Sequence, residues 1–157
     1  MKPEETIDFH LRWLWLKIFR IYNMEASNFG GTISVGYTLL NIDKEGTPST
    51  KLGPKMGIES RSLTRTLKTM EANGLITRTP DPGDKRVMTV RLTEAGKKYR
   101  DTAKNTVIDL NAYLFEHLDR RETESFFKVA RKINRLLDDK DIFTKNRNPQ
   151  IKTPTKP

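Results

Sequence analysis

The stretch LGPKMGIESRSLTRTLKTMEANGLITRTPDPGDKRVMTVRL, Leu52 to Leu92, decides how the chain is read. It divides into a short helix, a tight turn, a longer helix and a two-stranded hairpin with a charged tip. The longer helix is expected over about Glu59 to Asn73. Leu63, Leu67 and Met70 recur on one face of it, at i, i+4 and i+7, while Arg61, Thr64, Arg65 and Lys68 share another. Such a helix can bury one side and offer cations and hydroxyls on the other. The hairpin is expected as Ile76–Thr79, a tip from Pro80 to Arg86, and a half-buried strand Val87–Leu92, in which Met88, Val90 and Leu92 alternate with Thr89 and Arg91. Asp81-Pro82-Gly83 supplies turn chemistry. A helix-turn-helix followed by a basic wing is an arrangement that reads DNA.

Composition narrows the alternatives. A chain of 157 residues can form one domain with a real core, expected here over about 1–139. Lys and Arg number 29 against 20 Asp and Glu, and the net charge of +9 favours polyanionic partners through counterion release. Cysteine is absent, which removes disulfides, thiol redox sensing and Cys-based metal sites. His10 and His117 lie far apart and no carboxylate–His spacing accompanies them, so no metal or other cofactor is expected. The N-terminus lacks a secretory pattern, and the most apolar run, Leu11 to Tyr22, is broken by Arg12, Lys17 and Arg20. A cytoplasmic protein without a membrane partner is expected.

Outward from the central stretch the chain reads as helices. Over about Glu4 to Glu25, Ile7, Leu11, Leu14, Ile18 and Ile21 form a heptad-like seam, widened by Trp13, Trp15, Leu16, Phe19 and Tyr22. A helix apolar around most of its circumference needs cover on more than one side, from a second copy of the chain or from a monomeric bundle. After Asn28-Phe29-Gly30-Gly31, Thr32 or Ser34 can cap a helix to about Lys44 that turns Ile33, Tyr37, Leu40 and Ile42 inward. Glu45-Gly46-Thr47-Pro48 stops it. Ser49 or Thr50 can cap the short helix of Leu52 and Met56, which Gly57 closes and Pro54 interrupts. Beyond the hairpin, Thr93 starts a helix to about Leu118, with Tyr99, Ala103, Val107, Leu110 and Leu114 in a stripe. Asp119-Arg120-Arg121 is a break, and a last helix over about 121–139 aligns Phe126, Ala130, Ile133 and Leu137. Residues 140–157 are expected to form a basic, disordered tail.

The expected fold is therefore mainly α with a small β-wing. A winged helix-turn-helix lobe over about 32–92 is joined to a dimerisation module built from helices of both termini, about 4–25, 93–118 and 121–139. Ser60, Arg61, Ser62, Thr64, Arg65 and Lys68 are the candidates for meeting DNA on the long helix, Arg61 and Arg65 by forking onto guanine and Lys68 at phosphate. Ser49, Thr50 and Lys51 stand where free N–H groups can collect phosphate. On the wing, Arg86 suits a narrow minor groove, Lys85 a phosphate, and Asp84 either braces the guanidinium or holds the tip.

From about Phe9 to Leu137 the sequence resembles the MarR family of winged helix-turn-helix regulators. Ser62-Leu63-Thr64-Arg65-Thr66-Leu67, followed by Met70-Glu71-Ala72-Asn73-Gly74-Leu75-Ile76, looks like that family's recognition-helix ending. Asp84-Lys85-Arg86 matches its wing Asp-x-Arg, and Leu92-Thr93-Glu94-Ala95-Gly96 its wing-to-helix junction. Leu52-Gly53-Pro54-Lys55-Met56 departs from the usual Leu-Ala start, and Glu59 stands where a small capping residue is commoner. The resemblance implies a homodimer on a pseudo-palindromic operator, with one recognition helix per subunit in successive major grooves. It also implies a small, often phenolic or anionic, effector between the lobe and the dimer helices, for which His10, Arg12, Trp13 and Tyr37 are the candidate lining. No Gly-rich phosphate loop, nucleophile elbow or His–carboxylate cluster points to an enzyme. A non-specific architectural DNA binder and a winged helix used for protein contacts are the competing readings.

Overall fold

A computed structural model describes residues 2–145. Thr6 sets the start of the first helix, because its hydroxyl accepts the Phe9 amide hydrogen at 3.4 Å. Helix α1 accordingly runs Ile7–Asn28, after a single 3₁₀ turn at Pro3–Glu5. It begins and ends later than the apolar pattern suggested, since the capping hydroxyl outweighs periodicity at one end and Gly30, at φ +73, turns the chain at the other. Not one residue of α1 is buried.

Helix α2, Ile33–Asn41, is capped by Thr32, whose hydroxyl accepts the Val35 amide hydrogen at 3.4 Å. It stops short of Lys44 because Ile42 turns extended and goes into the core. The expected inward face is corrected here. Val35, Thr38 and Leu39 are buried, whereas Tyr37 is exposed and Ile33 and Leu40 are only half-buried. The helix carries two apolar stripes side by side, and hydropathy alone does not say which one meets the core.

Thr47–Pro48 does more than stop a helix. It forms a strand, β1, paired antiparallel with β3 (Met88–Leu92), which pairs in turn with β2 (Ile76–Pro80) in the order β1-β3-β2. The register sets Thr47 opposite Val90 and Ile76 opposite Leu92. Proline is tolerated in β1 because that strand is an edge. Helix α3, Ser49–Met56, starts from Pro48 as its cap; neither Ser49 nor Thr50 takes that role. Gly57, at φ +65, closes it in a left-handed cap. The Ile58 amide donates to the Gly53 carbonyl at 3.1 Å, and a Cβ on Gly53 would stand 3.2 Å from the Ile58 carbonyl oxygen. The turn folds back so closely that glycine suits this position.

Helix α4, Ser60–Ala72, carries the recognition stretch between Glu59 and Asn73. Leu63, Leu67 and Met70 go into a core with Leu39, Leu52, Ile76 and Val90. Helix α5, Glu94–His117, is pinned at its start. The Thr93 hydroxyl donates to the Gly74 carbonyl at 2.6 Å and accepts the Gly96 amide hydrogen at 3.0 Å, and the Thr93 amide donates to the Leu75 carbonyl.

The chain divides into two compact units within α5, one up to Leu110 and one from Asn111 on. In the second unit, the expected break at Asp119 to Arg121 is instead a capping box that starts α6, Arg120–Leu137. Asp119 accepts the Glu122 amide hydrogen at 2.8 Å, and Glu122 accepts that of Asp119 at 2.9 Å. The stretch expected to be a tail opens with a short helix, α7, Ile142–Lys145; its remainder, 146–157, lies outside the described residues.

Candidate nucleic-acid interface

With Leu63, Leu67 and Met70 buried, helical geometry drives the residues between them to the other side of α4. Arg61, Ser62, Thr64, Arg65 and Lys68 are all exposed or half-buried there. Ser60 opens the helix, and its side chain lies outside the described residues. Glu59 makes no side-chain cap, so the carboxylate stands at the helix N-terminus without closing it. At α3, Thr50 and Lys51 lie at the surface and Ser49 is half-buried, and no side chain caps the first turn. Its N–H groups are therefore not satisfied by a capping side chain.

The wing tip is built around Asp81, a residue the sequence marked only as turn chemistry. One carboxylate oxygen accepts the Gly83 and Asp84 amide hydrogens at 2.9 and 3.3 Å, and the other accepts the Thr89 hydroxyl at 2.8 Å. The Thr89 hydroxyl first, then the Gly83 amide, hold this carboxyl below the usual carboxylate range. Asp84 accepts the Arg86 backbone N–H at 3.0 Å, so of its two expected roles the structure displays the holding of the tip. Lys85 and Arg86 are exposed beyond it.

Sequence reading missed the contact that ties wing to helix. Arg78 on β2 donates through Nε to Glu71 of α4 at 2.9 Å and through Nη2 to the same oxygen. The guanidinium lowers the Glu71 pKa, and the carboxylate raises that of Arg78. A second brace joins Lys55 to the end of α2, where Nζ donates to the Asn41 carbonyl and to Asp43, each at 2.9 Å. The seven-residue separation of Glu71 from Arg78 was the available signal: one precedes the Asn73-Gly74 turn and the other follows it.

The expected effector lining is only partly brought together. A cavity of about 640 Å³ lies within the first unit, and Tyr37 lines it. His10, Arg12 and Trp13 are not in that lining; α1 instead contributes Trp15, Phe19 and Tyr22, at i, i+4 and i+7. The correction is one of helical phase, since two residues along a helix turn a side chain by roughly 200°. His10 bonds the Glu4 carbonyl at 2.8 Å, and Phe9 makes edge-on ring contacts with both His10 and Trp13.

The sequence model of the MarR family matches residues 39–88, from the end of α2 through α3, α4 and the wing. The chain belongs to the MarR family. It is 24% identical over 128 residues to YhbI, an uncharacterised HTH-type transcriptional regulator of Bacillus subtilis, covering 81% of this chain and 83% of the relative. The fold matches MepR of S. aureus, solved in complex with DNA, at a TM-score of 0.76 and 19% identity, over 82% of this chain and 96% of that one. It also matches CouR of Rhodococcus jostii RHA1, solved with p-coumaroyl-CoA, at 0.71 and 23%, over 85% and 94%. The family is one of transcriptional regulators, not enzymes. Among the described residues no helix is long and apolar enough to cross a membrane. The junction motif Thr93-Glu94-Ala95-Gly96 now has a physical reason in this MarR-family chain: a Cβ on Gly96 would stand 1.9 Å from the Leu75 carbonyl oxygen.

Proposed function

We propose that this MarR-family regulator acts in the cytoplasm as a homodimeric repressor of a pseudo-palindromic operator and that a small effector releases it. Helix α4 of each subunit enters the major groove of double-stranded DNA, and Arg86 of each wing enters the minor groove. The observation that carries the reading is one face of α4 bearing Arg61, Ser62, Thr64, Arg65 and Lys68, with the wing fastened to that helix by Glu71 and Arg78. Ser49, Thr50 and Lys51 anchor phosphate at the start of α3, joined by Lys85 on the wing. Ser60 is assigned with them from its place at the first residue of α4. The net charge of +9 supports the same partner.

Two copies are needed because one short helix contacts too few base pairs for useful specificity. The exposed apolar residues of α1, among them Ile7, Leu11, Leu14 and Ile21, support a partner subunit as their cover.

Fluorescence anisotropy on a palindrome from the protein's own upstream region, set against random DNA at equal salt, tests the reading. Equal affinity for the two would replace it with a non-specific architectural binder. Arg65→Ala and Arg86→Ala should each cost about 1–3 kcal/mol of operator affinity with the dimer intact. Unchanged binding in both variants would leave a winged helix used for protein contacts.

A further inference from the structure

The cavity of about 640 Å³ falls within the roughly 300–1,000 Å³ of small-molecule sites. Its lining is unusual in charge. Among the described residues that form it there is no Asp, Glu, Lys, Arg or His, and rings dominate: Trp15, Phe19, Tyr22, Tyr37 and Tyr99. Three lining hydroxyls have already given their hydrogens to backbone carbonyls, Tyr99 to Phe29 at 2.9 Å, Thr102 to Lys98 at 3.3 Å and Thr106 to Thr102 at 3.1 Å. Those oxygens can still accept a hydrogen bond but cannot donate one. A carboxylate placed there would lose its water without gaining a cation, and it would face oxygen lone pairs.

From this lining we infer that the cavity takes an uncharged, mainly apolar aromatic ligand carrying a hydrogen-bond donor, not an anionic one. The inference rests on the effector reading above and narrows it: Arg12, the cation expected to favour an anion, is not in the lining. The cavity also has its own route to DNA. Met56, Gly57 and Ile58, the turn between α3 and α4, form part of its wall. That turn is held by the Ile58 amide on the Gly53 carbonyl and by Gly57 in its left-handed cap, immediately before the recognition helix begins. A ring filling the cavity presses on the segment that sets the angle of α4.

The test uses the full chain and three probes of one shape: 2-naphthol, 2-naphthoate and 2-naphthylmethylammonium, titrated by calorimetry with and without operator DNA. 2-Naphthol should bind at least about tenfold more tightly than either charged probe. Operator and 2-naphthol should weaken each other's binding by one and the same factor, as linkage requires. Tyr37→Arg, at an exposed lining position, should move the preference toward 2-naphthoate by about tenfold. The wild-type ranking decides the matter even if that variant fails to fold. Equal or tighter binding of 2-naphthoate or the ammonium overturns the ligand class, and so does no binding of any probe to about 1 mM by a protein that still holds its operator. That last result would leave the DNA-binding reading standing. 2-Naphthol binding with no effect on operator affinity would uphold the cavity chemistry and overturn both the route through the turn and effector release.

Discussion

The winged helix-turn-helix lobe and the terminal helices treat apolar side chains in opposite ways. In the lobe, Leu39, Leu52, Met70 and Val90 are fully buried, and the polar residues around them are paired: Thr47 to Asp43, Asp81 to Thr89, Glu71 to Arg78. On α1, by contrast, Ile7 is 61% exposed, Leu14 51% and Met24 60%; on α6, Leu136 is 59% exposed and Leu137 65%. One region has satisfied its groups within a single chain, and the other has apolar surface still to cover. Stability should therefore be decided by lobe residues at close approaches, and assembly by helix residues that a single chain leaves in water.

The largest effect that would break this contrast lies at Gly96. A Cβ there would meet the Leu75 carbonyl oxygen at 1.9 Å, so Gly96→Val has to displace backbone, and about 3 kcal/mol of stability should be lost. Urea unfolding measures it; a loss within about 0.5 kcal/mol would show that the junction yields easily. Next comes the helix side. Leu14→Glu places a carboxylate on the exposed apolar face of α1 and should raise the dimer dissociation constant by about 100-fold in sedimentation equilibrium. Urea unfolding of the lobe core should barely change. A dimer that withstands the charge would move the interface elsewhere.

How much is legible in the sequence follows the same division. The buried stripe of α4, its surface cations and the hairpin register are readable because each rests on a local period, 3.6 or 2. The phase of α2 is not, since Val35/Leu39 and Ile33/Tyr37/Leu40 are equally good stripes and only the tertiary neighbour selects one. Tyr37 thus belongs to a cavity wall and not to the core. On α1 the aromatic stripe Trp15, Phe19 and Tyr22 is visible, yet nothing local distinguishes it from the neighbouring face that carries Trp13, because the helix is apolar all round. The third strand, Thr47–Pro48, is hidden by its proline, which reads as a stop until an edge strand is there to receive it. Capping chemistry operates at Thr6, Thr32 and Asp119 alike, although the sequence alone reads Asp119 as a break.

A smaller effect sharpens the contrast within the lobe. The Glu71–Arg78 pair is partly exposed, so its contribution to stability is small, about 0–1 kcal/mol. Its consequence should be positional, holding the wing at a fixed angle to α4. In a double-mutant cycle on operator affinity, Glu71→Gln and Arg86→Ala should be non-additive by about 0.5–1 kcal/mol, because a loosened wing has already lost part of what Arg86 supplies. Glu71→Gln paired with Arg65→Ala, on the helix itself, should be additive. Additivity in both cycles would reduce the pair to a surface contact.

The smallest expected effect is one of pH, and it separates the wing tip from everything behind it. The Asp81 carboxyl has its pKa lowered by the Thr89 hydroxyl and by the Gly83 and Asp84 amides, all of which bond the charged form. A folded-state pKa below the unfolded value means that the carboxylate adds stability at pH values above the ordinary carboxylate pKa, roughly 4. That contribution is lost as pH falls through the depressed folded value. Acidification should therefore loosen the tip, seen as weaker protection of the Gly83 and Asp84 amides from hydrogen exchange, before the buried strand at Val90 opens. Asp81→Asn offers a matched control, because its side-chain oxygen still accepts the two amides while its NH₂ can donate to the Thr89 oxygen. The variant should keep the tip closed at neutral pH and remove the acid response. If the response persists in Asp81→Asn, the acid-sensitive group is not at the tip, and the lowered carboxyls of Glu71 and Asp43 become the places where the lobe meets protons.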